Sequence, residues 1–233
     1  MQNKTKKYFH YFLRDFNSVI DYYLTYSKKI FFIQVGANDG KMSDPLNKFI
    51  KRYNKKITGI MIEPQKVEFE RLKKMYKNYN FKFENIAISS RNQKRKLYKV
   101  RKDKLMHDWQ RGIATLVPNK GPISIMNRKD VDYEFVDCIT FKDLLKKHKV
   151  KSIDLLQIDV EGYDFEIIKL INFKDILPKI IHYENVHLKN KEREECNKYL
   201  HKRGYVVMDY GDDTIAFLCG LFNIKSVTIN RVV

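Results

Sequence analysis

Two short segments of this 233-residue sequence combine residue types that bind and transform small molecules. In Val35-Gly36-Ala37-Asn38-Asp39-Gly40 an apolar run ends, and the chain must turn before the next periodic segment. Glycine reaches positive φ and lets a ligand approach the backbone; asparagine is the side chain that best tolerates the left-handed region. Asn38, with Asp39 beside it, therefore stands where a dinucleotide fingerprint has its second glycine. A strand-to-helix turn needs glycine for its geometry, so by itself this one marks only a bend. Glu63 adds chemistry. It closes the second apolar run, where a carboxylate in a Rossmann-type site accepts from ribose hydroxyls. A helix-capping acid ahead of Pro64 is the simpler reading, but it leaves unexplained why the acid ends a strand. No third glycine is present to pack a helix against a pyrophosphate, which favours S-adenosylmethionine, with no phosphate to cradle, over NAD.

The second segment is Gln157-Ile158-Asp159-Val160-Glu161-Gly162. Side chains alternate along a strand, so Asp159 and Glu161 can point the same way at its carboxyl end. Two close carboxylates push their pKa values apart, which leaves one as a base for a hydroxyl proton. The structural alternative is that Glu161 caps the next helix and Asp159 only shapes the site. Farther on, His182 and Glu184 share strand parity and, with His187, could join Asp159 in a base or divalent-metal cluster. The ligand types suit a metal, but their spacing is not diagnostic, and no metal is assigned. His182 is grouped with Asp159 and Glu161 as a catalytic candidate, and Glu184 and His187 with the acceptor pocket. His107, Trp109 and Arg111 sit in a loop-like region and could line that pocket: an aromatic suits a sugar face, and arginine pairs with phosphate. The single tryptophan could equally anchor the loop.

Elements that would position these residues follow from hydrophobic periodicity. Phe9, Phe12, Leu13, Phe16, Ile20, Tyr23 and Leu24 have helical spacing, predicting an amphipathic helix over residues 8–27 that docks on the following domain or lies on a membrane surface. Ile30–Val35, Ile57–Ile62 and Phe81–Ile88 read as buried parallel strands. Between them, Ser43 would cap a helix to about Tyr53 and Pro64 would open one to about Tyr76. Residues 91–130 break the rhythm and read as a short hairpin followed by a long loop. Order returns with Tyr133–Ile139, a helix from Phe141 to His148, strands at Ile153–Val160 and Ile180–Tyr183, and helices at Tyr163–Leu170 and 190–203. Two strands joined by Gly211-Asp212-Asp213 close the pattern. The expected fold class is α/β, a Rossmann-like, mostly parallel sheet with a terminal antiparallel hairpin. Its expected organisation is a helical extension over 1–29, one domain over 30–220 and a tail over 221–233.

The formal net charge is +18, which favours anionic partners such as nucleotide-sugars, phosphorylated glycans, nucleic acid or acidic lipid. The lysines are spread along the chain, the pattern of a solvated surface rather than a nucleic-acid patch. Cys138, Cys196 and Cys219 share no short spacing, which excludes a disulfide framework or zinc site and makes a reducing cytoplasm the expected compartment. No apolar run reaches membrane-spanning length and the N-terminus lacks a signal-peptide core, so peripheral contact with the inner membrane face is the remaining membrane option.

Five segments, in order, resemble the FkbM family of methyltransferases: FFIQVGANDGKMSDP (31–45), GIMIEPQKVEFERLKKMY (59–76), NIAIS (85–89), CITFKDLL (138–145) and IDLLQIDVEGYDFEIIK (153–169). The resemblance spans about residues 30–219 and implies a seven-stranded Rossmann-like sheet and S-adenosylmethionine-dependent O-methylation, often of sugar hydroxyls in glycans, lipopolysaccharides, capsules or natural products. By position it implies that Gln34 and Gly36, Asn38, Asp39 and Gly40 flank the methionine part of the cofactor, with Asp159 nearby. Glu63 would hold the ribose, and Asn85 to Ala87 would lie along the adenine. Family members often have aspartate where this chain has Gln34; the amide can accept from the cofactor's ammonium but loses a charge-assisted bond worth about 1 kcal/mol. An RNA methyltransferase, motivated by the charge, is the enzyme alternative, although no NPPY-like amine-methylation motif follows the fourth strand. A non-catalytic nucleoside-binding module is the other.

Overall fold

The computed structural model describes residues 15–222. Helix α1 (Phe16–Tyr26) begins at Asp15, whose carboxylate accepts from the Ser18 backbone while the Ser18 hydroxyl meets the Asp15 amide. Its buried stripe of Phe16, Val19, Ile20 and Leu24 packs on one face of the sheet. The helix spacing is thus realised by docking from Phe16 onward; Phe9, Phe12 and Leu13 lie outside the described residues. Among the described residues no helix is long and apolar enough to cross a membrane.

The main sheet is built from β1 (Ile30–Val35), β2 (Ile57–Ile62), β3 (Phe81–Glu84), β8 (Leu155–Ile158), β9 (Ile180–Glu184), β10 (Tyr205–Tyr210) and β11 (Asp213–Leu218). Its order is β10-β11-β9-β8-β1-β2-β3. The strands from β9 to β3 pair in parallel, and β11 runs antiparallel to both its neighbours. This is the expected sheet. Its central strands are buried on both faces, so their sequences are continuous apolar runs. Helices α2 (Asn47–Arg52), α3 (Lys66–Met75), α4 (Phe141–Lys147), α5 (Asp164–Lys169) and α6 (Asn190–His201) supply the remaining connections.

Three local expectations differ. The anticipated strand Phe81–Ile88 is divided into β3 and β4 (Ala87–Ile88), which join different sheets. Asn85 makes the break, its amide donating to the carbonyls of Glu63 and Pro64 at 2.9 Å. Ser43 does not cap a helix. It sits in the turn at φ 54°, and Asp44 instead accepts from the Leu46 amide just before α2 starts. The short hairpin after residue 91 is instead one long strand, β5 (Gln93–Val100), paired antiparallel along its whole length with β7 (Val131–Ile139). With β4 and β6 (Ala114–Thr115) they form a second, four-stranded sheet in the order β4-β7-β5-β6. Residues 101–130 between β5 and β7 are folded, through four short 3-10 helices and β6, over the carboxyl edge of the main sheet.

Candidate active site

β1, β2, β8 and β9 all end at this edge, where an open α/β sheet binds ligands. Gly36, at φ 81°, lets the turn after β1 close on β8: a Cβ there would lie 1.8 Å from the Asp159 carbonyl oxygen. Asn38 follows with φ 46° and donates its backbone N–H to Glu63 Oε2 at 2.8 Å. Glu63 Oε1 accepts from the Gln65 amide, and burial pushes the Glu63 carboxyl up to about 8 against the pull of these two bonds.

Two adjoining cavities share Gly36, Glu63, Gly112, Ala114 and Asp159. The narrower, about 40 Å³, is mainly apolar, walled by Ile86, Ala87, Ile88, Val160 and Tyr163 among others. The wider, about 540 Å³, is polar on the sheet side and apolar on the insertion side, where Trp109, Ile113, Pro122, Ile125 and Met126 cover it. Its sheet side carries Gln34, Asn38, Asp44, Gln157, Asp159, Glu161, Glu184 and His187. Glu63 sits where the two cavities join, and among the described residues the lining of the wider one includes neither lysine nor arginine.

Asp159, Glu161, Glu184 and His187 are brought together here. His187 Nε2 is 3.2 Å from Glu161 Oε2 and 3.5 Å from Glu184 Oε2. Glu161 holds φ 56°, a strained value for a side chain with a Cβ, and Gly121 of the insertion packs on its carbonyl. Burial, then the charges of Asp159 and Glu161, pushes Glu184 up to about 11; burial and Glu161 likewise hold Asp159 well above the carboxylate range. The ligand atoms of Glu161, Glu184 and His187 lie within 4.8 Å of one another, a spacing that would also suit a divalent cation.

His182 stands apart. Fully buried, it stacks 4.0 Å from Phe16, places Nδ1 2.5 Å from Gln157 Oε1, and meets the Tyr210 hydroxyl at Nε2. The amide oxygen only accepts, so Nδ1 donates and Nε2 accepts. Burial pushes the ring down to about 3, so it is neutral at physiological pH. It is therefore neither a base nor at the cavity; it orients Gln157, whose amide lines the cavity.

Asp39 also turns away. Its Oδ1 accepts from the Lys41 and Met42 amides, and its Oδ2 from Arg111 at 2.6 Å. Arg111 reaches Glu68 at 3.5 Å as well, so this guanidinium ties the insertion to the β1 turn and α3 rather than facing an acceptor phosphate. Trp109 lines the wider cavity, whereas His107 stacks behind it with centroids 6.3 Å apart. Gly40 packs against Tyr76 and Leu72 outside the lining, and Asn85 serves the backbone while its neighbours Ile86 and Ala87 form the narrow wall.

Asp44 and Gln157 are site residues that sequence reasoning missed. Gln34 and Gln157 are register partners in β1 and β8, and His182 is the partner of Gln157 in β9, giving one polar row across three buried strands. A glutamine next to last in each of two apolar runs was the available signal. Gln34, 2% exposed, donates Nε2 to Asp44 Oδ1 at 3.1 Å, leaving its Oε1 buried and unpartnered.

The sequence matches the methyltransferase FkbM domain over residues 34–207. Among solved structures, methyltransferase FkbM from Methylobacillus flagellatus KT is similar at a TM-score of 0.54 and 13% identity, covering 91% of this chain and 50% of that one. The chain thus spans half the length of that protein. A precorrin-6y C5,15-methyltransferase from Geobacter metallireducens GS-15 gives a TM-score of 0.42 at 10% identity, covering 84% of each chain. No curated protein sequence matches. S-adenosylmethionine, the cofactor implied by this family, fits the residues present: an apolar-walled slot for the faces of a flat base, an acidic side chain at the joint for ribose, and the orphaned Gln34 oxygen for an ammonium. The chain belongs to the FkbM methyltransferase family.

Proposed function

We propose that this methyltransferase acts on a hydroxyl of a sugar, glycan precursor or related polyol, and that the acceptor is uncharged. The observation that carries the reading is the joined pair of cavities, apolar at one end, with Glu63 at the joint and carboxylates around a histidine at the other. Bound S-adenosylmethionine would supply an electrophilic methyl group. Ile86, Ala87, Ile88 and Val160 would enclose its base; Glu63, whose oxygens keep lone pairs beyond the two used by backbone amides, would accept from the ribose.

At the wider end Glu161 and Glu184 face Nε2 of His187 and fix the ring. That leaves Nδ1 to take the proton shed by an acceptor hydroxyl, the arrangement of a histidine base oriented by an acidic side chain. Five acidic side chains line the wider cavity and, among the described residues, neither lysine nor arginine does, which argues against the anionic acceptor expected from net charge. Trp109, Ile125 and Met126 provide the apolar surface against which a sugar ring packs.

Isothermal titration with S-adenosylhomocysteine, followed by labelled-methyl turnover on neutral glycosides, sugar phosphates and RNA, tests the reading. Binding and turnover on neutral glycosides are expected. Absence of binding to folded protein overturns the cofactor assignment. Preference for sugar phosphates overturns the uncharged acceptor, and RNA turnover with steep salt dependence favours an RNA substrate. Loss of turnover in a chelator, restored by one divalent cation, would make Glu161, Glu184 and His187 metal ligands instead.

A further inference from the structure

We propose that Asp44, with Gln34, forms the subsite for the α-ammonium group of the cofactor, and that its carboxylate replaces the acid missing from the end of β1. The inference rests on S-adenosylmethionine being the cofactor. At the last position but one of β1, Gln34 brings an amide where a carboxylate would ordinarily meet a cation. An amide alone gives a neutral acceptor, weaker than an ionised one.

The missing charge stands next to it. Asp44 comes off the turn that follows Gly40 and lines the same cavity as Gln34. Its Oδ1 is fully used, accepting from Gln34 Nε2 at 3.1 Å and from the Leu46 amide at 2.8 Å. Its Oδ2 is closed to solvent and has no hydrogen-bond partner, as is Oε1 of Gln34, which is 2% exposed. Two orphaned acceptors on bonded neighbours, one formally anionic, are what a small cation with several N–H donors satisfies. The Gln34–Asp44 bond also fixes the amide: with Nε2 committed to Asp44, the oxygen is the atom left to accept.

A buried acceptor without a donor is destabilising, so both orphans weigh against the ligand-free state and in favour of an occupant. Burial, and secondarily the nearby Asp39, pushes the Asp44 carboxyl up to about 6. A bound ammonium opposes that shift, which links ligand affinity to ionisation of Asp44. The other titratable groups that bear on it are Tyr76 from the end of α3 and Asp159 from the end of β8.

The test compares two ligands of the full chain by isothermal titration: S-adenosylhomocysteine, which carries the ammonium, and 5′-methylthioadenosine, which lacks the amino-acid part. Asp44→Asn is expected to weaken S-adenosylhomocysteine about 10- to 100-fold, while 5′-methylthioadenosine changes less than about twofold. The double variant Gln34→Asp with Asp44→Asn, which returns the acid to β1, is expected to recover most of the loss. In the unmodified chain, the ratio of the two affinities is expected to fall as pH drops through about 6, which needs no variant to fold. Equal weakening of both ligands, or an unchanged ratio across that range, overturns the assignment to Asp44. Failure of both ligands to bind the unmodified chain overturns the cofactor reading instead.

Discussion

At the scale of single residues, the two histidines near the carboxyl edge divide by what surrounds them. His182 is enclosed by Phe16, Gln157 and Tyr210, and burial keeps it neutral, so no substrate proton reaches it. His187 lies at the cavity wall with Nε2 facing Glu161 and Glu184. General-base catalysis by a positioned side chain contributes about 10²–10⁴-fold. His187→Ala is therefore expected to lower kcat by about that factor while S-adenosylhomocysteine affinity stays within about twofold. Stopped turnover assays beside isothermal titration separate the two effects. An equal loss in ligand affinity would mean that His187 shapes the cofactor end and is not the base. Strand parity places His182 and Glu184 on one face of β9, but it does not tell how far along the strand the cavity reaches. His182 lies two residues inside the carboxyl edge under Phe16, whereas Glu184 ends the strand and His187 follows it, at the cavity.

At the scale of elements, the parallel strands were legible because each is covered on both faces and so reads as an apolar run. β5 was not legible: Gln93-Lys94-Arg95-Lys96 carries no apolar residue, and its pairing with β7 depends on partners from Val131 to Cys138, across the whole insertion, which only tertiary structure supplies. The insertion between them was recognised as unusual, yet its fastening was invisible, since Arg111 looked like a substrate ligand. In the folded chain Arg111 is 16% exposed and spans Asp39 and Glu68, while Gln65 donates to its carbonyl. Lys120–Glu192 provides a second tie, to α6. Removing one member of a largely buried ion pair leaves the others unpaired, an effect that reaches about 3–5 kcal/mol when burial is complete and is smaller here. Arg111→Ala is expected to open residues 101–130 locally, with proteolysis inside this segment accelerating about tenfold or more before the sheet unfolds. The KM for the acceptor should rise with it, since Trp109, Pro122 and Ile125 form the cavity's outer wall. Unchanged cleavage of the segment would show that Arg111 does not fasten it.

At the scale of the whole molecule, charge is segregated: a chain of net charge +18 collects Asp44, Glu63, Asp159, Glu161 and Glu184 around one cavity. The five cannot all ionise cheaply while buried together, so the ligand-free fold is least stable where their ionisation is demanded. Glu184 gives the clearest case. Its folded carboxyl is raised from 4.5 to about 11, first by burial and then by Asp159 and Glu161. A group whose folded pKa is raised contributes stability below its unfolded value and loses it as pH rises, because the unfolded chain releases a proton that the native chain keeps. Between pH 4.5 and 8 that contribution declines continuously, and it is not recovered within the range. Glu184→Gln presents a similar shape with no proton to lose. The variant is therefore expected to melt near the parent temperature at pH 4.5 and at least about 2 °C higher at pH 8, measured by circular dichroism without ligand. Turnover should stay near the parent value in the same variant, since the amide oxygen replaces the acceptor that the protonated carboxyl offers to Nε2 of His187. A melting difference that is the same at both pH values would place the Glu184 proton in the solvent rather than in the fold. A difference confined to pH 8 would identify the burial of the acid cluster as stability given up at the site.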